Sequence, residues 1–328
     1  MDSEMNGEPK VRVALVLGAT GGIGGAIASA LVAHGWLVRG MARDLEAAKR
    51  SGVDGVEWCK GDAMSASDVL AAAHGADVIV HAVNPPGYRK WEELVLPMID
   101  NTIAAALANG ARIVLPGTVY NFDPELTPVV RSGSPQTGRS RKGQVRIALE
   151  KRLKDAAPQV PSLILRAGDY FGPDARSSWF TQAMIKPGRP LKAVTNVARG
   201  AGHSWSYLPD VAEAVALLLE KQSALAPFED IPFEGYWDRS GRGLIDGLEA
   251  VLGRRLAVRA FPWWLMRLAS PLVPFAREAS EIEPLWRHSM RLDNERLVSL
   301  LGKEPRTDLI EALRATLGSV GCLPERKG

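Results

Sequence analysis

Cysteine is nearly absent from this chain. Two occur in 328 residues, Cys59 and Cys322, far apart in sequence. This excludes a disulfide framework, supplies no ligand spacing for a metal site, and suits a reducing cytoplasm. An excess of one charge is absent too. With 40 Lys+Arg against 37 Asp+Glu the net charge is +3, which makes no case for nucleic acid as a partner. No apolar run has the length of a membrane span. Residues 1–10 are polar and lack the apolar core of a signal peptide. There is neither an internal repeat nor a long low-complexity tract. What remains is the composition of a globular protein, 46% hydrophobic and 23% charged. Its length suits a nucleotide domain joined to a smaller one.

The apolar pattern alternates strand and helix. Strands are expected at 11–17, 36–41, 56–59, 77–81, 112–115 and 162–166. Helices are expected at 22–34, 65–73, 91–108 and 141–156, with Ser65 as an N-cap. This rhythm predicts an α/β, Rossmann-type doubly wound parallel sheet with helices on both faces. Ligands then sit at the C-terminal ends of the strands. After Asp169 the segments become Pro- and Trp-rich, and helices are expected at 241–252, 262–272, 278–287, 294–301 and 308–317. The organisation expected is a nucleotide-binding domain over 10–168, with 203–222 packing back on it. A smaller, mostly helical substrate region takes 169–202 and 223–328.

The first strand runs straight into Gly18-Ala-Thr20-Gly21-Gly22-Ile23-Gly24, and an Ala-rich helix follows at once. Glycine is needed where the backbone takes positive φ or must approach a ligand closely. The helix N-terminus then offers free N–H groups and a positive dipole end to a phosphate. The segment reads as a pyrophosphate cradle for a dinucleotide. Its G-x-x-G-x-x-G spacing resembles the short-chain dehydrogenase/reductase superfamily, and most closely its extended, epimerase/dehydratase branch. Matching motifs extend over about residues 11–219.

The second strand ends in Val38-Arg39-Gly40-Met41-Ala42-Arg43-Asp44. An acidic residue here binds the ribose 2′-hydroxyl of NAD, whereas arginine forks onto the 2′-phosphate of NADP. Arg43 comes first, with Lys49 downstream, so NADP is the preferred cofactor and Asp44 keeps NAD open. The resemblance implies that Asp62 approaches the adenine amino group and that Ala82, Val83 and Asn84, in the segment 81–86, line the cofactor. Arg166-Ala-Gly168-Asp169-Tyr170-Phe171-Gly172-Pro173 is similar to the family's Arg-x-x-x-Tyr-Gly-Pro element on the nicotinamide side. Residues 207–212 are similar to the element that introduces a packing helix.

The family's chemistry rests on a Tyr-x-x-x-Lys pair in the helix after the fifth strand. No tyrosine lies anywhere from 121 to 169. Anchoring on Glu150 sets Arg146 at the lysine position and Lys142 at the tyrosine position. Arg146 can hold the ribose and supply positive charge, but it does not give up a proton usefully. Lys142 serves as an acid/base only if burial or neighbouring cations depress its pKa; Arg139, Arg141 and Arg146 are such cations. Tyr120, just past the fifth strand, and Tyr170 are the other phenols within reach, and Thr118 is the one candidate for the helper hydroxyl. Asp169 is a second departure, because epimerases acting on sugar nucleotides usually carry asparagine there, and a carboxylate repels a diphosphate. Arg176, Lys186, Arg189, Lys192 and Arg199 are cations available to an anion.

The segment 261–275 is apolar and aromatic, interrupted by prolines and Arg267. It is expected to be core between the two domains, with a membrane surface, a partner or a substrate pocket as alternatives. The expected function is NADP(H)-dependent oxidoreduction of a small-molecule carbonyl or alcohol with non-standard acid/base residues. The alternatives are an NAD-dependent epimerase/dehydratase on a sugar-like substrate, and a non-catalytic nucleotide-binding sensor or assembly protein. The resemblance implies a homodimer through the two long sheet-edge helices.

Overall fold

The computed structural model describes residues 11–85, 91–198 and 200–324. Residues 1–10, Pro86 and Arg199, named above, lie outside the described residues. The first half contains β1 (Val13–Leu17), α1 (Gly22–Ala33), β2 (Leu37–Ala42), α2 (Leu45–Lys49), β3 (Val56–Lys60) and α3 (Ala66–Ala72). It continues with β4 (Val78–His81), α4 (Trp91–Asn109), β5 (Arg112–Gly117), the short β6 (Val129–Val130), α5 (Arg141–Ala156) and β7 (Ser162–Arg166). Then follow β8 (Asp169–Phe171), β9 (Ala193–Asn196), β10 (His203–Tyr207), α6 (Leu208–Glu220), β11 (Phe228–Pro232), β12 (Tyr236–Asp238), α7 (Gly243–Leu252) and β13 (Ala257–Ala260). The chain closes with α8 (Trp263–Ala269), α9 (Pro274–Ile282), α10 (Pro284–Arg287), β14 (Arg291–Leu292), α11 (Glu295–Leu301) and α12 (Leu309–Ser319).

Seven strands form one parallel sheet in the order β11-β7-β5-β4-β1-β2-β3. Alternate residues of each strand serve opposite faces. Ala14, Val16, Val38, Val80, Val114 and Leu163 meet Ile27 and Leu31 of α1 and Val211, Val215 and Leu218 of α6. Leu15, Leu17, Ile79, Ile113 and Ile164 face the other way, onto Val69, Ile99, Val145, Leu149 and Leu153 of α3, α4 and α5. With both faces covered, the strands read as continuous apolar runs. Strand order reverses between β1 and β4, so the ligand crevice opens there. This is the expected Rossmann-type sheet, and α6 packs beside α1 on one of its faces.

Beyond Asp169 the short strands β8, β9, β10 and β12 to β14 accompany the helices. β10 lies between β8 and β12 in a three-stranded sheet. β11 joins the main sheet, where its Phe-Glu-Asp-Ile-Pro sequence gave no apolar run to read. The helix expected at 278–287 is two helices, because Pro274 and Pro284 each start a new first turn. The segment 261–275 differs from expectation: Trp263 is buried, but Trp264, Leu265, Leu268, Leu272, Val273 and Phe275 are exposed.

β11 is fastened through a buried arginine. Arg166, at the end of β7, has no solvent exposure. Its Nη2 donates to Glu150 Oε2 of α5 at 2.7 Å and to Asp230 Oδ1 of β11 at 2.9 Å. Its Nη1 donates to the Thr118 carbonyl at 2.6 Å. Removing one member of such a buried set costs about 3–5 kcal/mol, because the remaining charges stay desolvated and unpaired. Arg166→Met is therefore expected to lower the urea unfolding free energy by about that much. A loss under about 1 kcal/mol, the range of an exposed pair, would show that the triad is not a stabilising element.

Candidate functional site

The cradle forms where β1 turns into α1. Gly18 has φ +88°, and a Cβ on it would lie 2.6 Å from the Ala82 carbonyl oxygen. A Cβ on Gly24 would meet the Gly18 carbonyl oxygen at 2.2 Å. The turn closes through the Gly21 N–H donating to the Gly18 carbonyl at 3.0 Å. Gly21 is the N-cap of α1 and brings no side-chain acceptor, so the first-turn N–H groups face outward as a phosphate site requires. Thr20 and Gly21 are exposed at the tip, and Gly22 and Ile23 are half-buried. A Cβ on Gly22 would meet the Asp174 carbonyl oxygen at 2.8 Å. The loop after β8 therefore crosses the cradle, a neighbour that no sequence motif announced.

At the end of β2, Asp44 is the N-cap of α2, its carboxylate accepting the Ala47 N–H at 3.0 Å. Arg43 beside it is exposed. Asp62 follows β3, where its Oδ1 accepts the Met64 N–H at 3.0 Å. Ala82 and Val83 lie against Gly18. Asn84 Oδ1 accepts from Arg146 Nη2 at 3.4 Å, and the Arg146 guanidinium lies 5.0 Å from the Trp91 ring centre. The fold thus brings Gly18, Gly24, Ala82, Val83, Asn84 and Arg146 together at the crevice. The residues present fit a dinucleotide: a turn closed to side chains, an uncapped helix N-terminus and a buried cation on the α5 side.

α5 carries the two substituted positions. Ser140 caps it, accepting the Gly143 N–H. Lys142 is buried, and its Nζ lies 2.9 Å from Glu278 Oε2 and donates to the Glu278 carbonyl at 3.2 Å. Burial lowers the Lys142 pKa, and Glu278 opposes that shift. The Lys142 N–H donates to Glu281 at 2.7 Å, so α9 covers this end of α5. Thr118 Oγ1 donates to Asn121 Oδ1 at 3.3 Å. Tyr120 is half-buried among Val119, Phe122 and Leu285. The Tyr170 hydroxyl is buried without a hydrogen bond among the described residues, and burial raises its pKa.

Sequence reasoning missed His203. Its Nε2 lies 2.7 Å from Asp169 Oδ2, and its ring stacks on Trp286 at 3.8 Å with an interplanar angle of 11°. Asp169 and His203 sit on the paired strands β8 and β10. Gly168 lies beside them, its N–H donating to Ser206 Oγ at 3.1 Å, and a Cβ there would strike the Ser204 carbonyl. These residues, with Val119, Leu285 and Met290, line a cavity of about 10 Å³, room for one water at most. No run of residues signals a pair drawn from two strands that are adjacent only in the fold. Among the described residues no cluster of His, Cys, Asp and Glu has metal-site geometry, and no helix is long and apolar enough to cross a membrane.

Residues 18–137 match the family described as NAD(P)H-binding. No curated protein matches the chain by sequence. Solved structures match over nearly its whole length. A UDP-glucuronic acid 4-epimerase from Bacillus cereus in complex with NAD is 17% identical with a TM-score of 0.72, covering 94% of this chain and 96% of that one. A nucleoside-diphosphate-sugar epimerase from Pseudomonas aeruginosa is 18% identical with a TM-score of 0.69, covering 95% and 97%. The Bordetella bronchiseptica enzyme WbmH in complex with NAD+ is 17% identical with a TM-score of 0.68, covering 94% and 98%. Residues 18–137 are therefore similar to an NAD(P)H-binding family, and the chain as a whole has the fold of these structures.

His81, at the end of β4, supplies a pH test of this crevice. Its Nδ1 lies 2.8 Å from Thr102 Oγ1, which donates its one proton to the Met98 carbonyl at 3.0 Å. His81 is therefore the donor through Nδ1. Burial, and secondly the Arg146 charge, lower its pKa to about 3. The unfolded chain takes up this proton near pH 6.5 and the folded chain only near pH 3, so its contribution is complete above 6.5 and is lost as pH falls toward 3. The loss is up to about 1.4 kcal/mol for each pH unit in that window. Urea unfolding at a series of pH values is expected to show this slope, and His81→Gln to flatten it. Equal slopes in both proteins would disprove the assignment.

Proposed function

We propose that this chain is an NADP(H)-dependent oxidoreductase acting on the carbonyl or alcohol of a small molecule. The observation that carries the reaction is the part-buried Asp169–His203 pair on the adjacent strands β8 and β10, just past the end of β7. When bound, the cofactor supplies or accepts the hydride. The chain's own residues do the rest. Gly18, Thr20, Gly21, Gly22, Ile23 and Gly24 receive the pyrophosphate on backbone N–H groups. Arg146 and Asn84 hold the nicotinamide-side ribose, Ala82 and Val83 flank the cofactor, Asp62 meets the adenine, and Gly168 keeps the nicotinamide side open. His203, its Nε2 held by Asp169, moves a proton at the substrate oxygen through Nδ1. Lys142 is the alternative proton carrier, with its pKa lowered by burial but its ammonium engaged by Glu278. Tyr120 and Thr118, past β5, are the remaining hydroxyls on that side.

Two features support a small substrate and NADP. The Asp169 carboxylate beside Gly168 would repel a diphosphate. Asp44 is committed to capping α2, which leaves Arg43 as the side chain free to meet the 2′-substituent. We assign the nucleotide half to 10–168 with 203–222, and the substrate half to 169–202 and 223–328. The second reading, an NAD-dependent epimerase, is favoured by the fold likeness to an NAD-bound epimerase.

Titration with NADPH and NADH, read by energy transfer from tryptophan, tests the cofactor. Arg43→Ala is expected to weaken NADPH binding about 10–100-fold, the worth of one charge-assisted contact, and to leave NADH unchanged. NADH binding indifferent to Arg43, with tightly held NAD and no net turnover, would favour the epimerase. Binding of neither would remove the cofactor assignment. On a carbonyl panel His203→Gln is expected to lower kcat about 10²–10⁴-fold with NADPH affinity intact. If Lys142→Met produces that pattern and His203→Gln does not, the proton passes through Lys142.

A further inference from the structure

Globular proteins seldom leave several large apolar side chains uncovered at one place. Here α8, α9 and the turn between them do so. Leu272 is 88% exposed, Leu268 72% and Trp264 64%, with Leu265, Val273 and Phe275 also exposed. Leu272 sits at the turn, so the patch is a protruding knob rather than a flat face. The inner side of the same hairpin is well anchored: Trp263, Ala276, Ala279 and Ile282 are buried. Its outer side is therefore a fixed feature of the fold.

Along the chain, the charges leading into the hairpin and up to Arg277 are of one sign. From 251 to 277 the chain has Arg254, Arg255, Arg259, Arg267 and Arg277 and no Asp or Glu. All five are exposed, although Arg255 pairs with Glu249, Arg267 lies near Glu283 and Arg254 donates to the Leu191 carbonyl. The acids that follow turn inward. Glu278 and Glu281 hold Lys142 of α5, and Glu283 is buried between Arg267 and Arg287. An apolar knob that contains tryptophan, carries Arg267 and Arg277 and is preceded in the chain by Arg259 matches the interfacial zone of a bilayer with anionic headgroups. A second copy would have to offer a groove to the knob and acidic groups to the arginines.

We propose that the α8–α9 hairpin docks this protein on the surface of a membrane containing anionic phospholipid. Leu268, Leu272 and Phe275 enter the acyl boundary, Trp264 lies at headgroup level, and the arginines face the phosphates. The inference is independent of the reaction proposed above.

Flotation of the full chain with vesicles tests it. Vesicles of phosphatidylcholine mixed with phosphatidylglycerol are expected to carry the protein, phosphatidylcholine alone to carry much less, and added salt to weaken the binding. Leu268→Glu with Leu272→Glu is expected to reduce binding about tenfold or more. Arg259→Glu with Arg277→Glu is expected to remove the preference for the anionic vesicles. Trp264→Ser, a milder change, is expected to weaken binding and still bind cofactor as the unsubstituted protein does. No flotation at low salt, or equal flotation of the Leu268/Leu272 variant, overturns the proposal. So does self-association that the same variant abolishes while vesicles bind nothing, which would make the knob a contact between copies.

Discussion

Arg166 is the constraint on which this architecture turns. Its guanidinium reaches α5, β11 and the end of β5 at once. A charge with no solvent exposure is tolerated only where carboxylates and carbonyls answer it on several sides. That requirement fixes how α5 lies on the sheet, and α5 carries both Lys142 and Arg146. It also fixes the edge strand β11, whose sequence would not hold a strand alone. The positions of α5 and of the sheet edge are two results of one buried cation.

The crevice shows a division of labour along the chain. The cradle is made almost wholly of backbone, and its glycines are there because neighbouring carbonyls occupy the space a side chain would need. The side proposed for the substrate is made of side chains from β8 and β10, packed under α10 through the Trp286 ring. The proposed proton carrier thus lies on a different element from α5, apart from the nucleotide site. Acids from α9 cover Lys142 and tie the C-terminal helices to α5 in the same contact.

Much of this was legible in order along the chain. β1, β4 and β7 are apolar on both faces and announce a buried parallel sheet. Ser65 accepts the Asp68 N–H as a cap should, and α5 spans 141–156 as its pattern implies. The glycines of the cradle state their role because the turn is local. β11 was hidden because its two acids are answered by Arg166, Arg112 and Arg296 from elsewhere in the fold. His203 and Asp169, 34 residues apart, meet only through strand pairing. The segment 261–275 was misread for a different reason: apolar periodicity says which side chains avoid water and is silent on whether this chain supplies the cover.

β11 also bears on how the chain comes to be folded. Asp230 lies 64 residues beyond Arg166, and α6 intervenes before it. During synthesis, β1 to β7 emerge first with β7 as a bare edge and Arg166 half-answered. The α1 side of the sheet stays only part-covered until α6 arrives. Exposed edges and unpaired charge are the ordinary liabilities of partly made sheets. The parallel sheet is thus not a module that finishes first and waits for the rest. It is completed by residues made after the C-terminal region has begun, so the two mature together.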